Sequence, residues 1–144
     1  MTRSKRMQPV VQVAASKEQA AARSLGDCQR EIDARTARLT ELLAYQAEYA
    51  QRFESSGGQG LDMARLQDYR VFLARLNDAI SQQRRLVEVA RGEYEQTRSH
   101  WLGTRRQAQA IDKVVDRFKH DEVRAQGCRE QAETDERALQ KHSR

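Results

Sequence analysis

Hydrophobic residues recur at alternating intervals of three and four along nearly the whole chain. The first run consists of Val11, Ala14, Glu18, Ala21, Leu25, Cys28, Ile32, Arg35, Leu39, Leu42, Gln46, Tyr49 and Phe53. The second run consists of Leu66, Tyr69, Leu73, Leu76, Ile80, Gln83, Val87, Ala90, Tyr94, Thr97, Trp101, Thr104, Ala108, Ile111, Val115, Phe118, Glu122, Ala125, Arg129, Ala132, Glu136 and Leu139. A repeat averaging about 3.5 residues is typical of helices that pair in a left-handed coiled coil. The pattern predicts two long helices, each with one buried seam.

The segment between the runs, Ser55-Ser56-Gly57-Gly58-Gln59-Gly60, is typical of a turn. Two helices joined by a short loop run antiparallel. We therefore predict an all-α fold, a long and thin antiparallel coiled-coil hairpin that forms a single domain over residues 1–144. Helix one is expected over about residues 9–54, the turn over 55–61, and helix two over about 62–139.

The predicted helix ends rest on local signals. Pro9 suits the first turn of a helix, and Asp62 suits an N-cap. Residues 1–7 are expected to fray.

The second helix is longer than the first, which predicts a C-terminal overhang. Equal distances from the glycine pair at 57–58 let helix one cover helix two only to about Ala108. Ile111, Val115 and Phe118 continue the stripe beyond that point, where no partner is expected for them. Such an unpaired stripe indicates a binding surface or an oligomer contact, unless the tail is simply a frayed amphipathic helix.

Several seam positions are polar or carry a thiol. Glu18, Arg35, Gln46 and Gln83 interrupt the apolar stripe, and single polar seam residues commonly fix the register of a coiled coil. Cys28 is expected opposite Val89, far from Cys128, so the two cysteines are interpreted as reduced thiols of a cytoplasmic protein.

Composition narrows the classes of function. A third of the residues are charged (33%) and 6% are aromatic, which is too hydrophilic for a globular core yet suits a narrow seam. The net charge is +5, with Arg3, Lys5 and Arg6 unopposed at the N-terminus. Elsewhere both signs are interleaved, so nucleic acid is not expected as a partner. Neither a transmembrane segment nor a signal peptide is expected.

The candidate catalytic residues form no recognisable pattern. His100, His120 and His142 have no metal-ligand spacing with Cys, Asp or Glu, and no phosphate loop or nucleophile motif is present. We expect a non-enzymatic protein with no metal and no cofactor.

An aromatic patch is predicted near the turn. With Val11 and Leu66 at heptad position a, Tyr45 and Phe72 fall at the g positions that flank the seam. Both lie at matched distances from the turn, beside seam residues that include Leu42, Tyr49, Leu73 and Leu76. Such rings either cover the edge of the seam or bind a partner, and Phe72→Ala separates the two: in the second case helicity survives and binding weakens.

Four segments carry a resemblance to a known family. They are Pro9–Glu18, Leu42–Tyr49, Leu66–Leu76 and Asp112–Arg117, and in this order and spacing the chain resembles the flagellar export protein FliJ family. The resemblance implies a cytoplasmic protein at the flagellar base, peripherally associated with the inner membrane. It also implies a stalk, similar to part of the stalk of rotary ATPases, that inserts in the hexameric flagellar export ATPase and promotes its assembly and activity. The stalk would link that ring to the cytoplasmic domain of the export gate and help recycle export chaperones.

The same resemblance assigns two surfaces. The gate-facing residues would be Leu42, Tyr45, Tyr49, Phe72, Leu76, Ala79 and Gln83. The end with both termini would enter the ATPase, with Arg3, Lys5, Arg6, Ile111, Val115 and Phe118 as candidate contacts.

Two alternatives remain open. A generic coiled-coil scaffold or tether would form a stable oligomer through the Ile111, Val115 and Phe118 stripe, whereas the stalk interpretation expects an elongated monomer. An export chaperone would bind export substrates without the ATPase.

Overall fold

Three helices account for almost all of the computed structural model, which describes residues 1–56 and 63–143. They are α1 (Arg3–Arg6), α2 (Gln8–Ser56) and α3 (Met63–His142). Ser55 and Ser56, expected in the turn, belong to α2. The rest of the predicted turn and the predicted N-cap Asp62 lie outside the described residues.

The two hydrophobic runs of the sequence form the seam between α2 and α3. Every position of the first run is buried or half-buried, and so is every position of the second run as far as Glu122. The most shielded apolar side chains are Ala14, Ala21, Leu76, Ile80, Val87, Ala90 and Val115. The predicted all-α hairpin of two long, packed helices is therefore confirmed.

The chain divides into two compact units. The central unit comprises Arg23–Ser99, and the terminal unit comprises Met1–Ala22 with His100–Arg144. The central unit pairs the second part of α2 with the first part of α3. The terminal unit pairs α1 and the start of α2 with the remainder of α3.

Polar contacts within the central unit fix the register of its helices. The Gln46 Nε2 donates to Asn77 Oδ1 at 2.7 Å, and the Arg35 Nη1 donates to the Leu86 carbonyl at 2.9 Å. In these two contacts the residue numbers fall along α3 as they rise along α2, so the two helices of the central unit are antiparallel. Polar seam residues thus bond across the seam here, as expected of register-setting positions.

The predicted partner of Cys28 is wrong. Its thiol lies 3.5 Å from the Thr97 hydroxyl, about one heptad beyond the expected Val89. The prediction assumes equal distances from the glycine pair at 57–58. The midpoint between the ends of α2 and α3, at Ser56 and Met63, lies about two residues further along the chain and accounts for only part of this displacement.

The N-terminus of the terminal unit is helical rather than frayed. The Thr2 hydroxyl accepts from the Lys5 amide at 3.4 Å and caps α1. The Ser4 amide and hydroxyl donate to the two carboxylate oxygens of Glu122 at 3.0 and 2.8 Å. These long-range bonds hold the first turn against α3 and bury Ser4.

The expected unpaired stripe is also wrong. Val115 is only 4% exposed, while Ile111 and Phe118 are half-buried, because the paired region extends to Glu122 instead of ending near Ala108. The overhang begins after Glu122, and every described residue from Val123 onward is exposed. The three apolar residues are therefore part of the seam, and the scaffold interpretation loses the oligomer contact on which it depended.

Candidate partner-binding surfaces

The predicted patch in the central unit is an extended aromatic cluster. Tyr45 and Phe72 approach with ring centroids 6.0 Å apart, as the matched distances from the turn predicted. Tyr49 contacts both rings, with its centroid 5.9 Å from that of Tyr45, and stacks on Phe72 at 4.1 Å. The residues at the g positions of both helices therefore lie at the same level as a seam residue, and their aromatic rings form one continuous surface.

The cluster extends further than the sequence analysis anticipated. Phe53 and Tyr69 stack with ring centroids 3.9 Å apart, and Tyr49 stacks on Tyr69 at 6.0 Å. Both residues had been recognised only as seam positions. The sequence does indicate this contact, because both are aromatic seam residues that lie on either side of the glycine segment. Antiparallel pairing brings such residues together.

A shallow groove follows this cluster along one flank of the central unit. Its lining consists of Arg38, Glu41, Leu42, Tyr45, Phe72, Arg75 and Leu76. Tyr45 is the accessible ring, with 48% of its surface exposed, whereas Leu76 at 7% forms part of the floor. An apolar floor between charged side chains is the usual anatomy of a protein–protein contact.

Three of the predicted gate residues, Tyr49, Ala79 and Gln83, do not line the groove. Ala79 is half-buried one heptad beyond Phe72. The Gln83 side chain is engaged within the unit, because its Nε2 donates to the Arg35 carbonyl at 2.9 Å. Gln83 therefore holds the helix pair together, which leaves its amide poorly placed to bind a partner.

The two sides of the groove's charged rim differ in their ion pairing. Arg38 Nη1 lies 3.1 Å from a Glu41 carboxylate oxygen, and both side chains are more than half exposed. Such a solvent-exposed pair contributes about 0–1 kcal/mol and opens readily. Arg75, across the groove on α3, makes no ion pair with a described residue, so its guanidinium is accessible to an acidic partner group.

The predicted basic residues of the terminal unit lie on its surface. Arg3, Lys5 and Arg6 are exposed, and the Arg3 guanidinium lies 5.6 Å from the centroid of the Phe118 ring. At this distance a cation–π contact orients the side chain while leaving it accessible. These three residues remain candidate contacts, whereas Ile111, Val115 and Phe118 are packed in the seam.

Glu122 is the electrostatic anchor of this end. Hydrogen bonds from the Ser4 backbone amide and then the Ser4 hydroxyl hold the pKa of the Glu122 carboxyl below its ordinary value of 4.5. Lys119 and Lys5 act in the same direction. In the sequence, Glu122 is identified only as a position of the second run, and nothing local to it indicates a partner as distant as Ser4.

The overhang carries exposed apolar side chains among mixed charges. Val123 is 71% exposed and Leu139 is 70% exposed, with Arg129 and Glu136 at intervening positions of the repeat. Cys128, also on this segment, is an exposed free cysteine, whereas Cys28 is free and half-buried.

The described residues contain neither a candidate metal site nor a candidate membrane span. No group of three or more His, Cys, Asp or Glu side chains in residues 1–56 and 63–143 could hold a metal ion. Within the same residues, no helix combines the length and apolar character required to cross a membrane.

Comparison with known proteins identifies a protein family. The family model described as "Flagellar FliJ protein" matches residues 3–144. No curated protein matches the chain, and no solved structure matches it. The match covers both units described above.

Proposed function

The chain belongs to the flagellar FliJ family, whose members are components of the flagellar export apparatus, and from this premise we propose that it is the stalk of the export ATPase. In this proposal the terminal unit inserts in the pore of the hexameric ATPase and promotes its assembly and turnover. The central unit presents the aromatic groove to the cytoplasmic domain of the export gate. The protein itself catalyses no reaction.

The observation that carries the proposal is the aromatic groove between charged side chains on the central unit. Tyr45 is almost half exposed although it contacts both Tyr49 and Phe72, so the ring is held rigidly while remaining accessible. Aromatic side chains held in this way bind partners with little loss of conformational entropy. The gate is the partner that the family resemblance implies for these residues.

The terminal unit supports the ATPase contact through its charges. Arg3, Lys5 and Arg6 are exposed on α1, and the overhang interleaves both signs along an exposed helix. An asymmetric helix pair can occupy a sixfold pore only through non-equivalent contacts. Exposed charge pairs suit that role, because each contributes only about 0–1 kcal/mol and can be exchanged as the ring changes state. Stimulation of the ring further requires that the stalk bind one ring conformation more tightly than another.

Binding to the isolated cytoplasmic domain of the gate tests the central-unit half of the proposal. Tyr45→Ala is expected to weaken binding about tenfold or more in isothermal titration calorimetry, as truncation of an anchoring ring does. Val89→Ala is the matched control, because Val89 is a similarly exposed apolar residue (53%) that does not line the groove. Equal affinities for the two variants, both with unchanged helicity, would contradict the gate contact.

Ring assembly tests the terminal-unit half. Negative-stain electron microscopy of the cognate export ATPase should show more hexameric rings when the protein is added. A variant with Arg3, Lys5 and Arg6 replaced by Gln should produce fewer rings at the same concentration. If ring formation were the same with and without the wild-type protein, the stalk assignment would be wrong.

A further inference from the structure

The flank of α3 opposite the aromatic groove carries a row of arginines. Within the central unit the heptad e positions of α3 are Arg70, Asn77, Arg84, Arg91 and Arg98. All five are exposed. Successive e positions are about 10.5 Å apart along a helix, so the last three arginines form an evenly spaced basic row.

The e positions of α2 that face the row hold no acidic residue. In a two-stranded coiled coil, charged residues beside the seam usually meet opposite charges on the paired helix. The e positions of α2 in the central unit are instead Gln29, Thr36, Leu43 and Ala50. No hydrogen bond or ion pair across the helix pair engages the arginines of the row, so their charges are not used to hold the described helices together.

Contacts along α3 neutralise the row only in part. Arg91 Nη1 lies 3.0 Å from Glu88, with both side chains more than half exposed. Arg70, Arg84 and Arg98 make no ion pair with a described residue. An exposed pair such as Arg91–Glu88 is weak and can be displaced by a better-placed carboxylate.

The surroundings of the row favour a helix as its partner. Leu43 and Ala50 are half-buried on the same flank of the unit, at the level of Asn77 and Arg70, and offer apolar contact area at one end of the row. A third helix lying along this flank would place side chains that recur every seven residues at the same spacing as Arg84, Arg91 and Arg98. Glu88 and Glu95 stand next to the row, so a partner must place its negative charges opposite the arginines and away from these carboxylates. A helix with one acidic residue every seven positions can do so, whereas the continuous phosphate array of a membrane or a nucleic acid cannot.

We propose that this basic flank, defined as Arg70, Arg84, Arg91 and Arg98, docks an acidic amphipathic helix of a partner protein. The carboxylates of that helix recur at seven-residue intervals and pair with the arginines, while its apolar side chains contact Leu43 and Ala50. The flank lies apart from the aromatic groove, so the two surfaces can be occupied by different partners. This docking requires neither the ATPase contact nor the gate contact proposed above.

Fluorescence anisotropy with a synthetic peptide tests the docking. The labelled probe is a helical peptide about 28 residues long with glutamate at every seventh position beside a leucine and alanine stripe. The full-length protein is expected to bind it, and more weakly at high salt because screening reduces attraction between exposed charges. A peptide of the same composition with the glutamates at irregular intervals should bind about tenfold more weakly.

Two variants of equal charge locate the contact. The triple variant Arg84→Gln, Arg91→Gln, Arg98→Gln is expected to lose about tenfold in affinity. The control triple Arg23→Gln, Arg30→Gln, Arg85→Gln removes three exposed arginines at heptad f positions of the same unit and should lose less than about threefold. Circular dichroism establishes that both variants retain the helicity of the wild type.

Three outcomes would overturn the proposal. The first is an equal loss of peptide affinity in both triple variants, which would show that binding depends only on the net charge of the protein. The second is equal binding of the regular and irregular peptides. The third is binding of vesicles containing anionic lipid, or of duplex DNA, that depends on the row while the peptide does not bind.

Discussion

Thr36 has a hydroxyl oxygen that is buried beside the seam and has no hydrogen-bond partner. A buried unpaired polar atom costs free energy, because water satisfied it in the unfolded chain. Thr36→Val has nearly the same shape and should raise the free energy of unfolding by about 1 kcal/mol in urea denaturation. The control is Thr40→Val, which removes an exposed hydroxyl that donates to the Thr36 carbonyl and should bring no gain. Equal effects would show that the Thr36 hydroxyl finds a partner in solution.

At the same scale, the contact of Ser4 with Glu122 predicts a titration. Because Ser4 holds the pKa of Glu122 below 4.5, an NMR titration should give a pKa below that value in the wild type and one closer to it in Ser4→Ala. The linkage between protonation and folding gives the direction in which stability changes with pH. The contact stabilises the terminal unit fully above the ordinary pKa and is lost as the pH falls through the lower folded pKa. An unchanged pKa in Ser4→Ala would contradict the contact.

The helix is the scale at which the sequence was most informative. The 3.5-residue repeat predicted which face of α2 and of α3 is buried, and each predicted seam position through Glu122 is shielded. Such a repeat depends only on the side chains of one helix. It therefore predicts the buried face without knowledge of the final register, whereas the approach of Tyr45 to Phe72 followed from their matched distances from the turn.

Burial along the seam predicts the cost of truncation. Ile80 is 5% exposed, so Ile80→Ala should lower the free energy of unfolding by about 2–4 kcal/mol. Leu139→Ala, at a residue that is 70% exposed on the overhang, should change it by less than about 0.5 kcal/mol. Urea denaturation followed by circular dichroism measures both. Similar losses for the two variants would mean that the overhang is as well packed as the seam.

The register of the helices was beyond the sequence pattern. Sliding two coiled-coil helices by one heptad preserves the match of their stripes, so the repeat alone cannot distinguish Ala90 from Thr97, one heptad apart on the seam, as the neighbour of Cys28. The helical N-terminus was missed for a related reason. Its stability comes from Ser4 and Glu122, which are distant in the sequence and leave no local signal.

A disulfide tests the register directly. In a Cys128→Ser background, Thr97→Cys should form an intramolecular disulfide with Cys28, because the Cys28 thiol lies 3.5 Å from the Thr97 side-chain oxygen. Val89→Cys is the control and should stay reduced under the same oxidant. Non-reducing electrophoresis of unfolded samples distinguishes the cross-linked monomer. Cross-linking of Val89→Cys instead would restore the register that the sequence predicted.

At the scale of the whole molecule, the proposed partner contacts are distributed between the two units. The central unit holds the aromatic groove and the basic flank, and the terminal unit holds the exposed cations of α1 and the overhang. Few described residues are deeply buried, because the two helices pack along a narrow seam. The described surface offers several distinct contact regions, and none of them requires a catalytic centre.

ATP turnover by the cognate flagellar export ATPase, measured across a concentration series of this protein, tests the central claim most directly. The stalk account predicts a saturable stimulation of turnover, and a weaker stimulation by a variant that ends after Glu122 and lacks the exposed overhang. If the folded wild-type protein left turnover unchanged at every concentration, the account of this chain as the stalk of the export ATPase would be contradicted.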